Sequence, residues 1–187
     1  MPVHDGLNEV AVTVSKDGEV KKIVKKLQVR GSDPVYTVML NDAETAQDIQ
    51  KWTTSTVDLS SSVEHATYGS HSLKAVYRAG VKFPNIRLFD AGKGFPSADW
   101  SGYEAMEFDV YNEGETANFY VKFHQTNGKT DDTFIQYVRP NRAATIRIPL
   151  NEVNLDLTQM KGIELWMWQQ AAPKTLYFDH FRFISKQ

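Results

Sequence analysis

The sequence predicts an all-β fold, a two-sheet β-sandwich preceded by a short β-hairpin. Three observations predict it. Apolar and polar residues alternate with period two through many short segments, turn residues separate those segments at near-regular spacing, and hardly any stretch carries helical periodicity. The 187 residues suffice for one well-filled core and a small appendage.

Residues 1–31 are the appendage. Val10, Val12 and Val14 alternate with polar residues, Lys16-Asp17-Gly18 supplies a turn, and Val20 to Val29 returns. A lone hairpin is marginal in water, so it joins the main sheet or ends a domain that begins upstream. Gly6-Leu7-Asn8-Glu9-Val10-Ala11-Val12 with Asp17-Gly18 resembles the last two strands of bacterial immunoglobulin-like modules. Gly31-Ser32-Asp33-Pro34 interrupts helix and ladder alike, which puts a linker at 32–34.

Residues 35–187 read as one domain. Tyr36–Leu40 is a short strand, and Ala43–Trp52 holds a helical turn whose Ile49 and Trp52 reach the core. Strands follow near Thr53–Leu59, Ser62–Thr67, Ser72–Arg78, Asn85–Phe89, Glu104–Tyr111, Asn118–Gln125, Thr133–Val138, Thr145–Pro149, Ile163–Gln169 and Thr175–Ile184. Tyr68-Gly69-Ser70, Asp90 to Asp99, Asn112-Glu113-Gly114, Asn127-Gly128 and Arg139-Pro140-Asn141 are the turns between them.

Bulk properties remove several function classes. A formal charge of -2 gives no general attraction to nucleic acid or to an anionic membrane. No run has the length of a transmembrane helix and no signal-peptide pattern opens the chain; Met1-Pro2 leading straight into a strand pattern looks like the start of an excised segment. The chain has no cysteine, which excludes disulfides, thiolate metal sites and cysteine nucleophiles. No His-x-His pair or His cluster accompanies His65 and His124.

The informative stretch is Lys161–Gln169. As a strand it points Ile163, Leu165 and Met167 one way and Glu164, Trp166 and Trp168 the other. Two indoles about 7 Å apart make a platform on which the apolar C–H face of a sugar ring can lie, its hydroxyls bonding to polar neighbours. The alternative is that both indoles are core. Other strands sort in the same way. Met106, Phe108 and Val110 oppose Glu107, Asp109 and Tyr111; Phe119, Val121 and Phe123 oppose Tyr120, Lys122 and His124; Ile86 and Leu88 oppose Arg87 and Phe89. If these strands share a sheet, one outer face gathers Arg87, Asp109, Tyr111, Tyr120, His124, Trp166 and Trp168, a set suited to a glycan. A solvated face with scattered aromatics is the plainer alternative.

Asp179 shares its parity with Tyr177, Phe181 and Phe183, so inward-packing rings carry a carboxylate toward the core. Calcium would satisfy it, with Glu44 as a natural second ligand if the first and last strands pair. The alternative is an aspartate that caps local backbone N–H groups, or one paired with Arg182 or Lys186.

Four stretches together carry a resemblance to the calcium-containing β-jelly-roll carbohydrate-binding modules of secreted bacterial polysaccharide-degrading enzymes. They are Leu40-Asn41-Asp42-Ala43-Glu44 followed by Trp52; Tyr68-Gly69-Ser70-His71-Ser72-Leu73-Lys74; Asp99-Trp100-Ser101-Gly102-Tyr103 leading into Met106 to Asn112; and Leu176-Tyr177-Phe178-Asp179. The resemblance implies a jelly roll, a secreted or cell-surface location, a structural calcium and a polysaccharide or oligosaccharide partner. It also implies a monomeric module within a larger multidomain protein. Its metal positions fall on Glu44, Asp179, the loop around His71 and, less directly, Asp42. It allows sugar binding on a sheet face or in end loops such as those of Phe95 and Trp100, although Trp100 fits better as a plug for the sandwich end.

Three functions compete. The leading one is a non-catalytic glycan-binding module. The second is a small glycoside hydrolase or lyase using Glu107 and Asp109, which share a strand face; the offset where similar hydrolases place a further Glu holds Tyr111 or Asn112 here. The third is a protein-binding adhesive module.

Overall fold

In the computed structural model the described residues are 6–16, 19–29, 37–90 and 94–186, the first two stretches as backbone only. The chain divides into two compact units, Met1–Val35 and Tyr36–Gln187. In the first, β1 (Gly6–Lys16) and β2 (Glu19–Val29) pair antiparallel, from Gly6 opposite Val29 to Lys16 opposite Glu19. The expected turn at Asp17-Gly18 and the expected linker at 32–34 lie outside the described residues.

The second unit contains β3 (Thr37–Asn41), α1 (Ala46–Gln50), β4 (Trp52–Thr53), β5 (Val57–Ser62), β6 (Ser72–Tyr77), β7 (Asn85–Phe89), β8 (Tyr103–Glu113), β9 (Ala117–Gln125), β10 (Thr130–Val138), β11 (Arg142–Pro149), β12 (Met160–Trp166) and β13 (Lys174–Ser185). They form two antiparallel sheets. One has five strands in the order β10-β9-β12-β7-β4; the other has six, in the order β11-β8-β13-β6-β5 with β3 also on β13. From β6 onward the chain crosses between sheets at every connection except the β9–β10 hairpin, so neighbours in each ladder come from distant sequence. This is the β-sandwich the alternation predicted.

The inner faces meet as predicted. Ile86, Leu88, Phe119, Val121, Phe123, Ile163, Leu165 and Met167 from the five-stranded sheet pack against Leu73, Met106, Phe108, Val110, Leu176, Phe178, Phe181 and Phe183, and all are buried. Each such side chain contributes roughly 1.5–3 kcal/mol by leaving water. Trp100 is buried with its indole N–H on the Ser97 carbonyl, and it packs on Phe95 and Phe183, plugging one end. Thr45 caps α1 reciprocally with Asp48, which sets the short helix that carries the chain to buried Trp52.

Two expected strands differ, each for a local reason. The run expected at Thr53–Leu59 is split, β4 lying in one sheet and β5 in the other. Thr54 Oγ accepts the backbone N–H groups of Thr56 and Val57 at 3.1 Å and donates to the Asn85 carbonyl, which turns the chain between the layers. The strand expected at Ser62–Thr67 is absent, because β5 ends at Ser62 and residues 63–71 loop over the outer face of the six-stranded sheet. His65 (φ 56°) and Gly69 (φ 67°) give that loop its left-handed bends.

The reading of Asp179 as core-facing is corrected by a bulge. Register on β8 runs Tyr177↔Tyr111 and Asp179↔Asp109, then slips before Arg182↔Glu107, with His180 in the left-handed region at φ 53°. The extra residue flips parity. Phe181 and Phe183 point inward, whereas Tyr177 and Asp179 share the outer face with Asp109 and Tyr111.

Candidate functional site

The outer face of the five-stranded sheet is set by register. Trp166 stands opposite Tyr120 on β9 and Asn85 on β7; Glu164 stands opposite Lys122 and Arg87; Gly162 stands opposite His124 and Phe89. Gly162 allows the ladder to close there, since a Cβ on it would clash with the Leu88 carbonyl oxygen.

At one end of this face lies an aromatic group. The Trp166 ring stacks on Tyr120 (centroids 4.3 Å, planes 12° apart) and meets Trp168 at 5.6 Å and 67°. Phe83 stands edge-on to Trp166 at 5.7 Å and tilted to Trp168 at 5.1 Å. Trp168 is 52% exposed and Phe83 42%, large values for rings of this size. The platform is therefore a corner with a free Trp168 face, and Trp166 is its braced wall rather than a second flat shelf.

Beside the rings lies a polar network. Glu164 accepts from His124 Nε2 at 2.9 Å and from Arg87 Nη2 at 3.4 Å, with Arg87 Nε at 3.3 Å. Burial pushes the Glu164 carboxyl up, but the bonds from His124 and Arg87 and their charge outweigh it and hold the group below the ordinary carboxylate range. Arg87 stays largely exposed, so its remaining donors face solvent. The face thus offers stacking surface at one end and donors and acceptors further along it, Glu164 standing two residues from Trp166 and four from Trp168 on the same chain segment.

Of the residues expected together, the structure brings together Trp166, Trp168, Tyr120, His124 and Arg87. It separates Asp109 and Tyr111, because β8 belongs to the six-stranded sheet and never pairs with β9 or β12. On that opposite face the 63–71 loop covers them. His65 stacks on Tyr111 at 3.5 Å and 8°, Thr67 Oγ and Thr145 Oγ donate to the Asp109 carboxylate, and Tyr68 stacks on His180. Glu107 is held by Arg147 and Arg182. A cleft of about 530 Å³ lined by Glu104, Arg147, Pro149, Asn151, Glu152, Leu157 and Lys186 lies away from the aromatic corner, and its Arg147 is already bonded to Glu104 and Glu107.

Sequence reasoning missed Phe83 and did not place Glu164 among the ligand contacts. Phe83 was reachable, since continuing the Asn85↔Trp166 register by two residues sets it opposite Trp168, and the Met167 N–H to Pro84 carbonyl bond continues the pairing that far.

The residues expected to hold calcium do not fit that role as arranged. Glu44 accepts from Ser70 N and His71 N, both at 2.7 Å, and from Ser70 Oγ at 2.9 Å; the two backbone N–H groups and the Ser70 hydroxyl hold its carboxyl below the ordinary range. Asp179 accepts from Thr67 N at 2.6 Å, Tyr68 N at 2.9 Å and His180 N at 2.6 Å, and is almost fully buried. Asp42 accepts the Glu44 N–H, and His71 Nδ1 lies 3.6 Å from Glu44. N–H donors occupy the sites that a cation would need, which is the capping alternative the sequence left open for Asp179. Among the described residues no three His, Asp or Glu side chains gather as a metal site. Nor, among them, is any helix long and apolar enough to cross a membrane.

No family model matches the sequence, and no curated protein matches it either. Solved structures do match in fold. An exo-β-agarase is similar over 80% of this chain at TM-score 0.67 and 16% identity, with 25% of the agarase chain covered. The family 11 carbohydrate-binding module from Clostridium thermocellum, in complex with a β-1,3-1,4-mixed-linked tetrasaccharide, matches 82% of this chain and 98% of its own at TM-score 0.59 and 16% identity. A family 30 carbohydrate-binding module of a Clostridium thermocellum cellulosomal cellulase matches 82% and 99% at TM-score 0.62 and 15% identity. This chain thus spans about a quarter of the agarase and nearly the whole of each isolated module. The unit Tyr36–Gln187 shares the β-sandwich fold of these carbohydrate-binding modules.

Proposed function

We propose that this unit is a non-catalytic carbohydrate-binding module that holds a linked enzyme on polysaccharide. The observation that carries the reading is the half-exposed Trp168, cornered by Trp166 and Phe83 beside the Arg87–Glu164–His124 network. A sugar ring stacks on Trp168 with its flanks on Phe83 and Trp166, and further sugar units running along the sheet face present hydroxyls to Arg87 and His124. Such a site is shallow, so affinity is on the order of micromolar or weaker, and tethering an enzyme near its substrate raises effective concentration instead. The fold shared with isolated carbohydrate-binding modules and with a quarter of an agarase chain supports an accessory role. Polysaccharide of this kind lies outside cells, which fits a secreted or cell-surface module. Calcium takes no part in this proposal.

Affinity electrophoresis against neutral and charged polysaccharides tests it. Retardation without release of reducing ends is the expected result. Release of product would instead favour catalysis, and no retardation by any glycan, with specific capture of a protein partner, would favour an adhesive module.

A further inference from the structure

Charge on the aromatic face is unevenly satisfied. Among the described residues four cations lie on it or at its ends, Lys82, Arg87, Lys122 and Lys161, in a chain whose formal charge is -2. Arg87 is matched by Glu164, and Lys122 lies 3.8 Å from Asp132. Among the described residues Lys82 and Lys161 make no ion pair. Each rests over an aromatic ring instead, Lys82 Nζ 5.3 Å from the Phe83 centroid and Lys161 Nζ 5.1 Å from that of Phe89. Phe89 ends β7 and Phe83 lies two residues before its start, so the two ammonium groups sit toward opposite ends of the sheet face. Asp90, one residue beyond Phe89, is bound through its backbone N–H to the Lys161 carbonyl and forms no ion pair with that ammonium within 4 Å.

We infer that the polysaccharide bound here is anionic, its sulfate ester or carboxylate groups read by Lys82 and Lys161 at the two ends of the sheet face. The inference rests on the glycan-binding reading above and narrows its ligand class. Lys82 is exposed and Lys161 half-buried, and a cation held only over a ring can exchange that ring for an anionic oxygen without breaking an ion pair. Freed from the ammonium, the Phe83 face adds to the Trp168 corner. A neutral glycan offers these two lysines only hydroxyls.

The test compares matched pairs on the intact chain by calorimetry: a sulfated galactan with its desulfated form, and a polyuronate with its methyl ester. The charged member of at least one pair is expected to bind about fivefold to tenfold tighter. That preference should disappear in Lys82→Ala/Lys161→Ala and shrink as salt shortens the Debye length from about 30 to 3 Å. The pair that shows the preference identifies sulfate or carboxylate as the group read. Trp168→Ala is expected to weaken both members alike. Equal binding of charged and neutral forms, or a preference that survives in the double lysine variant, overturns the inference while leaving glycan binding intact. Failure of all four polymers to bind overturns the inference, and the glycan-binding reading is then decided by retardation on the wider polysaccharide panel.

Discussion

Trp166 and Trp168 meet at a corner, with centroids 5.6 Å apart and planes at 67°. Two residues apart on one strand end, they serve different purposes: Trp166 leans on Tyr120 and is half-buried, whereas Trp168 presents an open face. Substitutions should therefore separate binding from stability. Trp168→Ala is expected to reduce glycan affinity at least tenfold while the urea midpoint stays within about 0.5 kcal/mol of the parent. Trp166→Ala loses the Tyr120 stack and should cost about 2 kcal/mol as well as affinity. Unchanged electrophoretic retardation in both variants would move the site off this face.

Asp179 anchors the 63–71 loop through two backbone donors, Thr67 N and Tyr68 N, and also accepts the N–H of His180 at the β13 bulge. Asp179→Ala leaves all three donors without an acceptor beneath the loop and should destabilise the unit by about 3 kcal/mol in urea unfolding. Glycan binding by the folded fraction should be unaffected, because the loop covers the face opposite Trp168.

Calcium should not stabilise the protein. With Glu44 engaged by two N–H groups and the Ser70 hydroxyl and Asp179 by three N–H groups, excess calcium or a chelator is expected to leave Tm unchanged. A ligand bound to the folded state at a hundred times its Kd would add about 2.7 kcal/mol and a rise of several degrees, which calorimetry would register at once.

Acid should weaken the fold through carboxylates held below their ordinary range, Glu44 and Glu164 among them. Glu44 and Glu164 both ionise below their ordinary range in the folded chain. Their stabilisation is therefore complete above the unfolded value near about 4.3 and is lost as pH falls through the lower folded values. Urea midpoints are expected to fall between about pH 5 and pH 3, and Glu164→Gln should flatten part of that slope.

At Gly162 the backbone of β12 leaves no room for a side chain against β7. Gly162→Ala drives a methyl into the Leu88 carbonyl and should cost about 3 kcal/mol, read as an earlier urea midpoint with Trp166 fluorescence as a probe.

Alternation in β7, β8, β9 and β12 was legible because one face of each strand is aliphatic, and that pattern carried the sandwich, the core and the outward indoles. Pairing partners were not legible. Asp109 and Tyr111 have the same parity as Tyr120 and His124 within their own strands, and nothing local distinguishes the sheet of β8 from that of β9. The parity of Asp179 failed for a different reason, since a one-residue bulge at His180 leaves no mark in an alternating string. The Thr54 turn and the 63–71 loop likewise depend on side-chain bonds to distant backbone, which composition does not reveal.

On the glycan-binding reading, the loop over the six-stranded sheet leaves the unit Tyr36–Gln187 one open aromatic face among its described residues. A unit with one such face would coat a fibre without bridging two, so it should decorate a polysaccharide gel without stiffening it. Only tandem copies would act as cross-linkers.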